Sequence, residues 1–77
     1  MEKKMTDVLV HIDENTTHSD RESLRDKFLA LDGVMAADYH DEQPHLMVIL
    51  YDPDTISSME FINTAKSMNL HAELVGL

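Results

Sequence analysis

Residues 46–51 read L-M-V-I-L-Y, an apolar run without a break, with Pro44 just before it and Pro53 just after it. An apolar run of this length between turn residues reads as a β-strand. It is taken as His45–Tyr51, entered from the turn Asp41-Glu42-Gln43-Pro44 and left through Asp52-Pro53-Asp54. Whatever else the chain does, it must build a sheet around this strand and cover one face of it.

The rest of the chain supplies the partners. Thr6–Asp13 alternates, with Val8, Val10 and Ile12 on one face and Leu9, His11 and Asp13 on the other, which is strand patterning. Asp13–Leu31 is a polar loop opening into an amphipathic helix, where Leu24, Phe28 and Leu31 recur at i, i+4 and i+7. Ser19 with Glu22 has the spacing of a capping box, Asp20 and Glu22 suit the positive end of the helix dipole, and Asp32-Gly33 ends the helix. Val34–Asp41 is compatible with a strand whose inward pair is Ala37 and Tyr39. Ser57 with Glu60 repeats the capping-box spacing ahead of Phe61, Ile62, Ala65 and Met68, and Asn69 sits where a left-handed cap belongs. Ala72–Val75 is a short last strand.

Strand, helix, strand, strand, helix, strand, joined by right-handed crossovers, makes an α+β, ferredoxin-like βαββαβ sandwich. It has a four-stranded antiparallel sheet with both helices on one face. Residues 1–5 read as a frayed start and 6–77 as a single domain. In this topology the first loop, the central hairpin and the turn after the second helix share one end. His18, His40, His45 and His71 lie there with Asp13, Glu14, Asp41 and Glu42.

Composition narrows the functions. The net charge of −9, with six scattered Lys and Arg, argues against a phosphate backbone as partner. No apolar run approaches a membrane span, and M-E-K-K-M has no signal-peptide core, so membrane insertion is not expected and the expected address is the cytoplasm. There is no cysteine, hence no disulfide framework and no thiolate metal site.

Three stretches carry a family resemblance: L-A-L-D-G-V at 29–34, Y-D-P-D at 51–54 and A-E-L-V-G-L at 72–77. In this order and spacing the chain, from Val8 to Leu77, resembles the heavy-metal-associated domains of copper chaperones and P-type ATPases. The resemblance implies a metal loop reading V-E-G-M-T-C-x-x-C. Here Ile12 to Asp20 reads I-D-E-N-T-T-H-S-D, with Glu14 in place of the glycine and Asn15 in place of the core methionine. Thr17 and Asp20 stand where the two cysteines belong, so Thr17, His18, Ser19 and Asp20 are the equivalent of the metal motif. Of the loop, Thr16 alone matches. Leu70 occupies the position near the metal where relatives place Tyr, Phe or Lys. Cu(I) held by thiolates is excluded by residue type.

The remaining donors in the loop are His18 and Asp20, with Asp13, Glu14, His45 or His71 as reinforcements. Such nitrogen and oxygen donors suit Zn, Ni, Co or Cu(II). Two residues on one loop fall short of the three or four ligands of a tight site, and the plainer reading has His18 in solvent and Asp20 as a helix-terminal acid. His11, on the outer face of its strand, reads as an ordinary half-exposed side chain, and Met47, Met59 and Met68 as core filling.

The outer face of the sheet is the anomaly. With Met47, Ile49 and Tyr51 inward, Leu46, Val48 and Leu50 point outward beside Leu9 and His11 of the first strand. That is an apolar patch where such folds are normally polar. A homodimer burying sheet face on sheet face, or a docked protein partner, would cover it. Catalysis has no support: Ser19, Ser57 and Ser58 read as helix caps, and there is no triad spacing and no Gly-rich phosphate loop. These features lead to a non-enzymatic module that has lost its thiolate site and works by protein contact. The alternatives are a His/Asp site for a divalent ion and a small-molecule regulatory module like the ACT domains, which share this element order.

Overall fold

The computed structural model describes residues 4–75. The frayed-start reading, as it concerns residues 1–3, and the last two positions of A-E-L-V-G-L lie outside the described residues. The elements are β1 (Thr6–Ile12), α1 (His18–Leu29), β2 (Val34–Tyr39), β3 (Leu46–Tyr51), α2 (Met59–Lys66) and β4 (Ala72–Val75). They form the expected βαββαβ sandwich, with one antiparallel sheet in the order β2-β3-β1-β4.

The core follows from the alternation. Val10 and Ile12 of β1, Met47, Ile49 and Tyr51 of β3 and Ala37 of β2 are buried on one face. Leu24 and Phe28 of α1 and Phe61 and Ala65 of α2 join the same cluster, so both helices cover that face. Phe61 is the junction, meeting Phe28 and Tyr51 edge to face with ring centroids 5.8 and 5.0 Å away.

β2 reaches the core through a bulge. Val34 pairs with Tyr51 and Ala36 with Leu50, so β2 advances two residues where β3 advances one. The extra residue, Met35, is 66% exposed, and the shift lets both Val34 and Ala37 face inward. Gly33, just before it, has φ +94°, and a Cβ there would lie 2.9 Å from Thr55. Asn69 takes the expected left-handed turn, with φ 61°.

Several local expectations are corrected. The cap of α1 is Thr17 with Asp20 at the third helical position, not Ser19 with Glu22, because the helix begins at His18. Glu22 lies beyond the first turn. The last helical residue is Leu29, so Leu31 packs on the core from the connection rather than from the helix stripe. α2 starts at Met59, which puts Glu60 at the second helical position, one short of a box; Ser58 makes no side-chain cap and Ser57 Oγ accepts from Met59 N at 3.3 Å. Met47 is buried and Met68 partly so, but Met59 is 55% exposed and fills no core.

Candidate functional site

The first loop, Asp13–Thr17, connects β1 to the N-terminus of α1. Its end is closed by the capping box itself. Thr17 Oγ1 accepts from Asp20 N at 3.1 Å, and Thr17 N donates to Asp20 Oδ2 at 3.1 Å. The two side chains that stand in place of the family's cysteines are therefore bonded to each other's backbone, and they satisfy helix N–H groups that would otherwise be unpaired.

Under the loop lies Arg21, 7% exposed despite its charge. A buried guanidinium is stable only where its N–H groups find acceptors. Nη1 donates to Thr16 O at 2.7 Å and to Thr16 Oγ1 at 2.9 Å, while Nε and Nη2 donate to Asp41 Oδ1 at 3.2 and 2.9 Å. The guanidinium also stands 5.9 Å from the centroid of the Tyr39 ring. Asp41 in turn meets His18 Nδ1 at 3.0 Å, and the His18 and Arg21 contacts hold its carboxyl below the usual aspartate range. Tyr39 donates its hydroxyl to Glu22, and that bond, with partial desolvation, pushes the phenol up to about 12. Loop, helix and hairpin are thus tied through one cation. Nothing in the sequence reading singled out Arg21; the available signal was a lone arginine one helical turn beyond Thr17, in an otherwise acidic segment.

On the other side of the loop, Glu14 reaches His71, the residue just before β4. Its carboxylate accepts from His71 N at 2.7 Å and pairs with the His71 ring. Asp13 N donates to His71 O at 2.9 Å. The ring bond lowers the Glu14 carboxyl below its ordinary range and raises the imidazole above its own. His45 Nδ1 lies 2.7 Å from Ile12 O and its ring stacks on His11 at 5.8 Å, while His11 Nδ1 meets Asp13 at 3.2 Å. Of the groups expected at this end, His18, His45, His71, Asp13, Glu14 and Asp41 meet there. They are arranged as separate pairs, with His18 on Asp41, His71 on Glu14 and His11 on Asp13. Asp20 faces its own cap. Among the described residues no group of three or more His, Cys, Asp or Glu could hold a metal ion.

The open face of the sheet is built from registered rows. Leu9 pairs with Val48, flanked by Asp38 on β2 and Val75 on β4. His11 pairs with Leu46 and is flanked by Glu73, and Asp7 pairs with Leu50, flanked by Ala36. Val48 and Val75 are each 40% exposed, and Leu9, His11, Leu46 and Leu50 are half-buried by one another. The geometry places all five of the expected outward residues together. It adds Val75, which sequence reading missed because a four-residue strand leaves its inward face undecided. A shallow depression of about 240 Å³ lies over Leu9, Leu46 and Val48, beside Asp38 and Gln43.

No protein-family model and no curated protein matches the sequence. The fold does have solved counterparts, and they define its class: it is the fold of heavy-metal-associated domains. Oxidized MerP from Ralstonia metallidurans CH34 superposes with a TM-score of 0.84 at 12% identity, over 95% of this chain and 100% of that one. The copper binding domain from HMA7, a P-type ATPase, gives 0.81 at 16%, over 91% and 93%. The apo form of the HMA domain of the copper chaperone for superoxide dismutase gives 0.74 at 17%, over 99% and 72%. At these identities the likeness is one of architecture. No helix among the described residues is long and apolar enough to cross a membrane.

The donor set does not fit the metal that the fold brings to mind. Soft Cu(I) takes thiolates or thioethers, and the two loop positions carry a hydroxyl and a carboxylate already engaged in a helix cap. The divalent site sought at His18, Asp20, Asp13 and Glu14 fares no better. His18 and Asp20 turn to different partners, and Glu14 is drawn away to His71.

Proposed function

We propose that this chain is a non-enzymatic binding module of the heavy-metal-associated fold, acting in the cytoplasm by contact with another protein rather than by carrying metal. The observation that carries the reading is the use of Thr17 and Asp20 in each other's cap. A metal loop needs its donors free or ready to be freed. Here the cap, the Arg21 contacts to Thr16 and Asp41, and the Glu14 bond to His71 hold the loop with hydrogen bonds. Such a loop is a finished structural element. The apolar outer face then remains as the part of the surface whose composition calls for a partner.

The test is a proton–nitrogen spectrum titrated to stoichiometry with Zn, Ni, Co and Cu(II), and with Cu(I) under reductant. The reading expects no saturable change at His18, Asp20 and their neighbours. Saturable shifts or broadening centred there would overturn it in favour of metal carriage.

A further inference from the structure

Resting on that contact reading, we infer that the occupant of the open sheet face is a cationic amphipathic protein segment, not a second copy of this chain. The face has an apolar centre of Leu9, Leu46, Val48, Leu50 and Val75, and the fixed charges on its outward strand positions are Asp7, Asp38 and Glu73. All three acids are exposed. Arg21, Arg25, Lys27 and Lys66 lie on the helices and Lys4 precedes β1, so among the described residues no cation falls on an outward strand position.

Charge decides between the possible occupants. A two-fold pairing of this face with itself would bring three acids of one copy up to three of the other around a desolvating apolar centre. Each copy already carries −9. Like charges brought together at an interface rim oppose binding, and they do so more strongly as water leaves. A rim of lysine or arginine on the partner turns each of those repulsions into an attraction while the apolar centre is buried just as well. The depression over Leu9, Leu46 and Val48 offers a seat for one of its apolar side chains, with Asp38 beside it for the neighbouring cation.

The edges of the sheet direct the partner onto the face. On edge strand β2, Arg25 Nε donates to Ala37 O at 3.0 Å, which occupies a backbone acceptor there. The other edge, β4, is four residues long. Among the described residues neither edge offers a long free ladder for strand addition.

The experiment uses the full chain, labelled with nitrogen-15, and a short helical peptide built of leucine and lysine alone. Two control peptides replace every lysine by glutamate or every leucine by serine. Expected are saturable shifts centred on Leu9, Leu46, Val48, Leu50 and Val75, with binding weakened about tenfold or more in either control. Val48→Lys should weaken the lysine peptide by about tenfold with the spectrum's dispersion retained. Asp7→Lys with Asp38→Lys should reverse the preference from the lysine to the glutamate peptide. Light scattering should give a monomer throughout.

A dimer broken by Val48→Lys would overturn this inference and leave the contact reading standing, with a second copy as the occupant. Equal binding of the lysine and glutamate peptides, or an unchanged preference in the charge-reversed variant, would also overturn the inference alone. Shifts that do not saturate, or that centre on the helices, in a monomeric protein would sink both.

Discussion

Arg21 and Asp41, twenty residues apart in sequence, meet at 2.9 Å between Nη2 and Oδ1 and join helix α1 to the β2–β3 turn. The two differ in exposure: Arg21 is buried, whereas the Asp41 side chain is 55% exposed. An ion pair with one partner in water contributes little by itself. What makes Arg21 structural is its second set of bonds, to the carbonyl and hydroxyl of half-buried Thr16.

Replacing Arg21 by alanine should therefore cost about 2 kcal/mol, chiefly because Thr16 loses its charged donor and the buried stem leaves a void. Arg21→Lys should recover less than half of this. A single ammonium cannot spread its donors over Thr16 O, Thr16 Oγ1 and Asp41 as the planar fork does. Urea unfolding of the three proteins measures the difference, and a lysine variant as stable as the parent would mean that the charge alone matters.

Gly33 gives a second, sharper prediction. It combines φ +94° with a Cβ direction that runs 2.9 Å from Thr55 Cβ and Cγ2. Its carbonyl accepts from Asp52 N at 2.8 Å, so the turn cannot swing away without losing that bond. Gly33→Ala should destabilise by about 2 kcal/mol, combining backbone strain with the steric contact. In the double variant with Thr55→Gly the contact with Thr55 should be relieved, while the strain and the 3.0 Å approach to Ile56 Cγ2 should remain. Additive losses in thermal unfolding would show that the two residues do not touch.

The architecture was legible because its signals were periodic. Val8, Val10 and Ile12 gave the face of β1, the run from Leu46 to Tyr51 gave β3, and Gly33 and Asn69 marked two chain reversals by residue type alone. The helix starts were misplaced by one or two residues, since Thr17, Ser19, Ser57 and Ser58 can all cap and the choice falls to tertiary contacts. At the site, position was legible and partnership was not. The ends of the strands told that His18, Glu14, Asp41 and His71 share one end of the domain. Which acid each histidine takes depends on side-chain reach across loops, and no periodicity encodes that. Arg21 was invisible for the same reason, because burial of a cation is decided by the acceptors that happen to surround it.

The pairing of Glu14 with His71 sets a pH dependence with a definite sign. Glu14 is held below its ordinary value of 4.5, first by the His71 ring and then by the His71 backbone N–H. A lowered carboxyl adds stability above pH 4.5 that is lost as pH falls through its folded value. His71 is raised above 6.5 by the same hydrogen bond. A raised imidazole adds stability that is full below pH 6.5 and is lost as pH rises through its folded value. Both contributions are complete together between pH 4.5 and 6.5. Glu14→Gln should narrow the gap to the parent on either side of that window and bring the NMR titration midpoint of the His71 ring down toward 6.5. Identical ring titrations in the two proteins would mean that the contact is not made in solution.

The path of the first loop can be separated from the chemistry of its side chains. Thr17→Cys with Asp20→Cys would put thiols at the two positions where the resemblance expects them. Both cap bonds would go, and the helix should lose about 1 kcal/mol for its N-cap. In return two soft donors would stand at a helix N-terminus, where the dipole favours thiolate over thiol. Two neighbouring thiolates suit Cu(I), and the backbone superposes on the heavy-metal-associated fold over more than nine-tenths of the chain, so the double variant should bind one equivalent of Cu(I). Ultraviolet thiolate-to-copper absorption and competition with a Cu(I) chelator would report it, and the parent should show neither signal. Arg21 makes the test informative, because its bonds to Thr16 and Asp41 do not involve the exchanged side chains and should keep the loop closed. If the double variant stays blind to Cu(I), while Arg21→Ala added to it restores binding, then the guanidinium under the loop is what holds the metal position shut. If Cu(I) binds at once, the loop's path suits the ion and the side chains at 17 and 20 alone keep the parent from it.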